Sequence, residues 1–254
     1  MVNILVIPDA HAAPNQDLSR FTALGKLTQD LMHQLKGNLR VVCLGDFMEM
    51  GSLSSHNEGL ASGMVHNYHD DIESGKEALD RYAEAAGDLP RQDFLIGNHE
   101  DPRLERLTDK HPWIKGSFNI REDLGLAQRG WKVHDFLSPL QISGVTFQHY
   151  FVSGTMGRPI GGINQARSMA TKAMESCVAG HSHTLDFCRA RRPSGSVVQT
   201  LSAGVFCDPN DPVFSWSKGR GNYWPGVVLL QGVENGDYDL TTISLDRLMK
   251  RYAS

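Results

Sequence analysis

The chain has 254 residues, 40% hydrophobic and 21% charged, with 25 Lys and Arg against 29 Asp and Glu and a formal net charge of −4. That composition excludes disorder, collagen and a coiled coil, and a chain of this length buries a core as one α/β domain without staples. Apolar runs such as Ile4 to Ile7 and Val227 to Leu230 fall far short of the roughly 18 residues that a membrane-spanning helix needs.

The opening MVNILVIPDAH lacks a basic start followed by a long apolar stretch, so no secretory signal is expected and the expected location is the cytoplasm. Cys43, Cys177, Cys188 and Cys207 are widely spaced with no Cys-x-x-Cys, which fits reduced thiols better than disulfides or a zinc cage. The mildly acidic balance argues against generic nucleic-acid coating, although a nuclease can take its positive charge from a metal site.

In chain order, short apolar runs predict strands at Ile4–Ile7, Arg40–Leu44, Asp93–Ile96, Leu140–Ser143, Val145–His149, Ser176–Ala179, Val197–Ser202 and Val227–Leu230. The first three are apolar on both faces and read as buried central strands. Leu18, Phe21, Leu24, Leu27, Leu31 and Leu35 recur at helical spacing and predict a crossover helix over 18–35, ended at Gly37-Asn38. The stretch Asn57–Gly87 carries Asp70, Asp71, Glu73, Glu77, Asp80 and Glu84 and reads as a solvated helical face. Between Glu100 and Lys132, basic residues (Arg103, Arg106, Lys110, Lys115, Arg121, Arg129, Lys132) mix with acidic ones and make no basic patch. No repeat or linker divides the chain, so one domain over 1–254 is expected.

The metal-ligand residue types fall at strand ends. Asp9 and His11 follow ILVIP, Asp46 follows VVCLG, Asn98 and His99 follow DFLIG, His149 ends GVTFQ, and His181 and His183 follow SCVAG. Ligand sites in open α/β sheets lie outside the carboxyl ends of strands, so these loops should converge. Each fragment alone has an ordinary reading as a turn, a cap or a surface histidine. Five in succession, all in the same strand-then-ligand context, do not.

The series Asp9-x-His11, Gly45-Asp46-x-x-Glu49, Gly97-Asn98-His99-Glu100, His149 and Gly180-His181-x-His183 resembles the calcineurin-like metallophosphoesterase superfamily, whose motifs occur in this order. Through GNHEDPRLERL and GDFMEMGSLSSH the chain is most similar to the small phosphoesterases of bacteriophages and prophages, for which the cytoplasm is the host's. The resemblance implies a four-layer α/β/β/α sandwich with a dinuclear metal site at the C-terminal ends of the strands. Strand count alone does not choose this over a doubly wound sheet.

By the same resemblance, Asp9, His11, Asp46 and His183 hold one ion, and Asp46, Asn98, His149 and His181 the other. Imidazole with carboxylate and amide oxygen suits Mn, Fe, Zn or Ni, and two divalent ions per chain are expected, Mn²⁺ first. Two cations about 3.5–4 Å apart lower the pKa of a bridging water to give hydroxide and clamp the phosphoryl oxygens. His99 takes the general-acid role, which contributes about 10²–10⁴-fold.

Two positions depart from the family pattern. Glu49 stands where relatives often carry an Asp that orients the acid histidine, so either Glu49, Glu100 or a backbone carbonyl fixes His99. Met50 stands where phosphoprotein phosphatases carry the Arg that grips a monoester, which tilts the reading toward a diester unless Arg103 or Arg158 substitutes. Arg189, Arg191 and Arg192 read as a solvated hairpin before a phosphate contact. Phe206, Phe214, Trp216, Tyr223 and Trp224 either pack under a long loop or wall the site, with Tyr223 and Trp224 as the candidates for substrate contact.

The expected function is metal-dependent hydrolysis of a phosphodiester, nucleotide or nucleic acid, with Asp46, Glu49 and His99 in the chemistry and Arg103 on the substrate. The alternative is a phosphomonoesterase acting on phosphoprotein or a small metabolite. A non-catalytic protein-binding scaffold would show eroded ligand positions, and none is eroded. The expected partner is a phosphate ester, with no membrane and no obligate protein partner. Loops 50–88, 101–132 and 151–176 would set substrate choice and carry no readable motif.

Overall fold

Strand β1 (Val2–Ile7) sends Ile4 and Val6 to one side and Leu5 and Ile7 to the other, and all four are buried. Strand β2 (Leu39–Cys43) divides in the same way, Val42 against Val41 and Cys43. Strands apolar on both faces need a covering layer on each side, and the fold supplies one. The protein is described by a computed structural model over residues 1–55 and 67–253.

The helices are α1 (Ser19–Gln34), α2 (Tyr68–Ala86), α3 (Asp101–Lys110), α4 (Ile120–Asp123), α5 (Gln165–Lys172) and α6 (Leu245–Tyr252). The remaining strands are β3 (Arg91–Leu95), β4 (Trp131–His134), β5 (Leu140–Ile142), β6 (Val145–Gln148), β7 (Val152–Ser153), β8 (Arg158–Pro159), β9 (Ser176–Ala179), β10 (Leu185–Arg191), β11 (Val197–Ala203), β12 (Gly226–Glu234) and β13 (Asp237–Ser244).

Two mixed sheets stack face to face. The first runs β13-β12-β1-β2-β3-β4, with β1 to β4 parallel and β12 and β13 antiparallel at the edge. The second runs β10-β11-β9-β6-β5, parallel through β11, β9 and β6. Between them Ile4, Val6, Val42 and Leu95 meet Val145, Phe147, Val178 and Leu201. On the outer face of the first sheet, Leu5, Val41 and Phe94 receive Phe21 and Leu24 of α1, Leu79 and Tyr82 of α2, and Leu248 and Tyr252 of α6. On the outer face of the second, Ala166 and Met169 of α5 cover Cys177 and Ala179. The result is the four-layer α/β/β/α sandwich that the resemblance implied.

All eight expected strands form, with ends moved by one or two residues at most sites. Helix α1 ends at Gln34, where Lys36 and Gly37 turn to positive φ and Gly37 N donates to Met32 O at 2.8 Å. Strands β4, β7, β8, β10 and β13 were not expected, because each is short or carries polar residues on an exposed face. Of the stretch 57–87, residues 57–66 lie outside the described residues, as does His56 of GDFMEMGSLSSH. Helix α2 exposes Asp70, Glu73, Glu77, Asp80 and Glu84 as expected. Its solvated reading is corrected on the other face, where Ile72, Leu79 and Tyr82 are buried and the Asp71 carboxylate, also buried, accepts from Ser52 N at 3.0 Å.

All four cysteines are free, and Cys43, Cys177 and Cys207 are buried. Arg189 to Arg192 follow the exposed edge of β10, where Arg189 pairs loosely with Asp237 at 3.8 Å. Among the described residues no helix is long and apolar enough to cross a membrane.

Candidate metal centre

Parallel strands β1, β2, β3 and, in the second sheet, β6 and β9 end on the same edge of the sandwich, and each is followed by its polar motif. His11, Asp46, His181 and His183 all adopt positive φ, between 45° and 66°. A left-handed residue without a glycine costs on the order of 1–3 kcal/mol, and such strain concentrates where a side chain must be aimed. Here it reverses the chain just past the strand ends and turns the donors inward.

Gly97 and Gly180 allow the loops to close on those donors. A Cβ on Gly97 would run into Asp46 N and Asp46 Oδ1, and one on Gly180 would run into Asp9 Oδ1. Both glycines immediately precede a ligand-type residue, and both are required for close approach rather than for φ.

Donor atoms of Asp9, His11 and His183 gather at one position, those of Asp46, His149 and His181 at a second, and those of His11, Glu49 and His99 at a third. His11 Nε2 faces His183 Nε2 at 3.0 Å, and His183 Nε2 stands 3.2 Å from Asp9 Oδ2. His149 Nε2 lies 2.8 Å from Asn98 Oδ1 and 3.4 Å from Asp46 Oδ2. Nitrogen and oxygen lone pairs that converge in this way need a cation or shared protons between them. Asp9 Oδ1, fully buried, has no hydrogen-bond partner among the described residues. The donor set therefore fits divalent ions of the Mn, Fe, Zn and Ni type.

The electrostatics run the same way. Burial opposes the charge of Asp46, yet His149, His99 and His11 outweigh it and hold the carboxyl well below its usual range. Burial pushes His149 down, and Asp46 and Asp9 more than reverse this, bringing it up to about 9. His181 is pushed down to about 4 by burial and by His149, which leaves a neutral imidazole with one ring nitrogen lone pair to ligate. Asp46 thus feels histidines of both sets.

Glu49 lies closer to His11 than to His99. Its Oε2 is 2.8 Å from His11 Nδ1 and 3.4 Å from His99 Nδ1. A carboxylate on the far ring nitrogen of a ligating histidine fixes its tautomer and direction. The nearest acceptor for His99 Nδ1 is the backbone carbonyl of Glu49, at 2.9 Å. Glu100 does not hold the His99 ring. Its buried carboxyl accepts from the backbone N–H groups of Asp46, Phe47 and Gly97 at 2.8–3.1 Å and ties the β2 and β3 loops together.

Arg103 sits one helical turn beyond His99, with Nη2 2.6 Å from His99 Nε2 and Nη1 bonded to the carbonyls of Glu49 (2.6 Å) and Met50 (3.1 Å). A guanidinium thus reaches the position where Met50 leaves none. Arg158 lies on the β7–β8 ribbon and does not line the cleft.

A residue that the sequence reading missed is Arg20 of α1. It is buried, donates to Ala10 O and Phe206 O at 3.0 and 3.1 Å, and so joins the β1 loop to the β11 loop through backbone carbonyls. An isolated Arg in an amphipathic helix carries no sequence signal for that role.

The late aromatics separate. Phe214 and Tyr223 pack on His183, with ring centroids 5.3 and 4.6 Å away, and Tyr223 Oη also bonds Ser217 Oγ at 2.8 Å. Phe206 packs on Phe21. Trp224 lies over Gly204 and Gly226 against the inter-sheet core and does not line the cleft. The cleft itself, about 1000 Å³, is floored by Asn98, His99, Glu49 and His181 and walled by Arg103, Arg106 and Trp216.

No family model matches the sequence, and no curated protein matches it. Among solved structures the chain is similar to a 5'-nucleotidase precursor from Thermus thermophilus, at 12% identity and a TM-score of 0.42, over 99% of this chain and 58% of that one. The chain therefore spans just over half the length of that protein.

Proposed function

We propose that this chain, as one domain over residues 1–254, is a divalent-metal-dependent phosphoesterase acting on a phosphodiester, nucleotide or nucleic acid. The observation that carries the reading is the paired gathering of Asp9, His11 and His183 and of Asp46, His149 and His181, with His99 beside both on the floor of an open cleft. When bound, two divalent cations supply the charge that activates a water and neutralises the phosphoryl oxygens.

The chain's own groups do the rest. Asp46 and Asn98 hold His99 and His149 in place, since Asp46 Oδ1 accepts from His99 N at 2.8 Å and Asn98 Oδ1 lies 2.8 Å from His149 Nε2. As the water oxygen bonds to phosphorus and the ester P–O bond breaks, the leaving oxygen takes its proton from His99. Burial lowers His99, but Asp46 and Glu49 outweigh this and keep the ring above its ordinary value, which suits an acid. An open cleft leaves space for both arms of a diester.

One contact favours a monoester as second reading: the Arg103 guanidinium on the Met50 carbonyl restores a cation of the kind that grips a phosphate dianion. Mn²⁺-dependent hydrolysis of bis(p-nitrophenyl) phosphate beside p-nitrophenyl phosphate separates the two, with His99→Ala as control. Preference for the diester, lost in the variant, is expected; preference for the monoester would replace the first reading with the second.

A further inference from the structure

Arg103, Arg106 and Lys110 recur along α3 at spacings of three and four and fall within an arc of about 60° on one side of the helix. Leu104 and Leu107 turn toward the core, and Glu105 and Asp109 fall on the other side. The sequence mixes the two signs in this stretch, and the helix sorts them. Because α3 begins directly after His99, the cationic stripe starts at the metal centre, and at 1.5 Å per residue Lys110 stands about 10 Å beyond Arg103. Arg103 and Arg106 both line the cleft.

The other wall is built differently. It comes from the loops after β1 and β11 and includes Asp17, Asp211 and Trp216. Since β1 and β3 flank β2, the Asp17 part of this wall stands across the floor from α3, and Asp211 and Trp216 line the same cleft. Trp216 is 65% exposed on it. Asp17 accepts from Ser19 N and Ser19 Oγ, Asp211 accepts from Val213 N, and each carboxylate has lone pairs for further donors.

A row of cations on one wall, with an exposed indole and carboxylate acceptors on the other, asks for a ligand with repeated negative charge along one edge and flat rings bearing N–H groups along the other. A nucleic-acid strand with unpaired bases has that form. A phosphopeptide brings phosphate without a ring, and a duplex keeps its base faces stacked away from the indole.

We propose that the cleft binds a single-stranded oligonucleotide, its phosphates following Arg103, Arg106 and Lys110 and one base stacked on Trp216. This presents an internal diester to the metal centre, and it rests on the phosphoesterase reading above. Trp216, rather than Tyr223 or Trp224, is then the aromatic that meets substrate.

The test is an anisotropy titration of the full chain in Mn²⁺ with a fluorescein-labelled single-stranded phosphorothioate DNA dodecamer, beside hydrolysis of bis(p-nitrophenyl) phosphate. Trp216→Ala is expected to weaken dodecamer binding about five- to 150-fold. Arg106→Ala is expected to lower the slope of log K against log salt by about 0.7, the share of one phosphate contact on a single strand. Arg191→Ala, on the distant hairpin, serves as the unchanged control. Hydrolysis of the small diester with no dodecamer binding, or with binding indifferent to Trp216→Ala, would overturn the proposal and leave the phosphoesterase reading standing. Dodecamer binding that depends on Trp216 without any hydrolysis would support the strand site and remove the phosphoesterase reading. Stronger competition by a phosphoserine peptide than by unlabelled dodecamer would also overturn the proposal.

Discussion

Arg103 Nη2 stands 2.6 Å from His99 Nε2. A guanidinium has donors only, so Nε2 accepts, and the ring proton sits on Nδ1 against the Glu49 carbonyl. To serve as an acid, His99 must be protonated at Nε2, which requires Arg103 to turn to another anion; in the proposed reaction that anion is the substrate phosphate. Arg103 also lowers His99, so removing it lets Asp46 and Glu49 carry the ring further up. Arg103→Ala is therefore expected to cut kcat/KM about tenfold or more, the worth of a charged hydrogen bond. It should also move the alkaline limb of the pH–rate profile to higher pH. A limb that stays or moves down would contradict this coupling.

In the proposed metal centre Glu49 acts through His11, whose Nδ1 it meets at 2.8 Å. Losing a carboxylate behind a ligating imidazole typically costs about 10–100-fold in metal affinity. Glu49→Gln is expected to raise the Mn²⁺ concentration needed for half-maximal activity by that factor while leaving the melting temperature close to wild type. An unchanged Mn²⁺ requirement would mean that Glu49 does not set His11.

Gly97 lies against Asp46 so closely that an added methyl group meets backbone as well as carboxylate. Overpacking of this kind costs roughly 1–3 kcal/mol, and here the displacement falls on Asp46. Gly97→Ala should lower Mn²⁺ binding far more than it lowers stability. Gly161→Ala, where an added Cβ meets nothing within 4 Å, should change neither. Equal behaviour of the two variants in a Mn²⁺ titration would count against the close-approach argument.

Asp93 on β3 is fully buried and bonded to Arg40 of β2 (2.5 Å) and His134 of β4 (2.8 Å), pinning three adjacent strands. Burial works against its charge, while Arg40 and His134 outweigh burial and hold the carboxyl below its ordinary value. A folded pKa below the unfolded one, about 3.9, means that this stability is complete above that pH and is lost as pH falls through the folded value. Asp93→Asn is expected to cost about 3–5 kcal/mol at neutral pH, as breaking a buried pair does, and to flatten the acid loss of stability. Denaturant melts at pH 7 and pH 3 check both signs.

What the sequence disclosed follows from burial. Strand β1 is apolar on both faces and β2 and β3 run into the buried apolar stretches 41–44 and 94–96, so their ends were visible as abrupt changes to polar residues, and with them Asp9, His11, Asp46, Asn98 and His99. Strands β10 and β13 each expose a polar face at a sheet edge, and nothing local separates such a strand from a loop. The partners of Glu49, Glu100 and Arg20 were hidden because each acts between loops that are distant in sequence, those after neighbouring strands of one sheet for Glu49 and Glu100 and those of both sheets for Arg20. The left-handed conformation of His11, Asp46, His181 and His183 was hidden too, since it is imposed by the site and opposed by the residue's own preference. Mixed charge between Glu100 and Lys132 concealed the cationic side of α3 until the helix phase was known.

The most direct measurement is the number of Mn²⁺ ions bound per chain at equilibrium dialysis, for the wild type and for Asp46→Asn. The account predicts about two ions for the wild type, as a two-metal site requires, and a clear loss of binding in the variant, because the proposed site shares Asp46 between its two positions. Well under one ion in the wild type, or equal binding in Asp46→Asn, would contradict it.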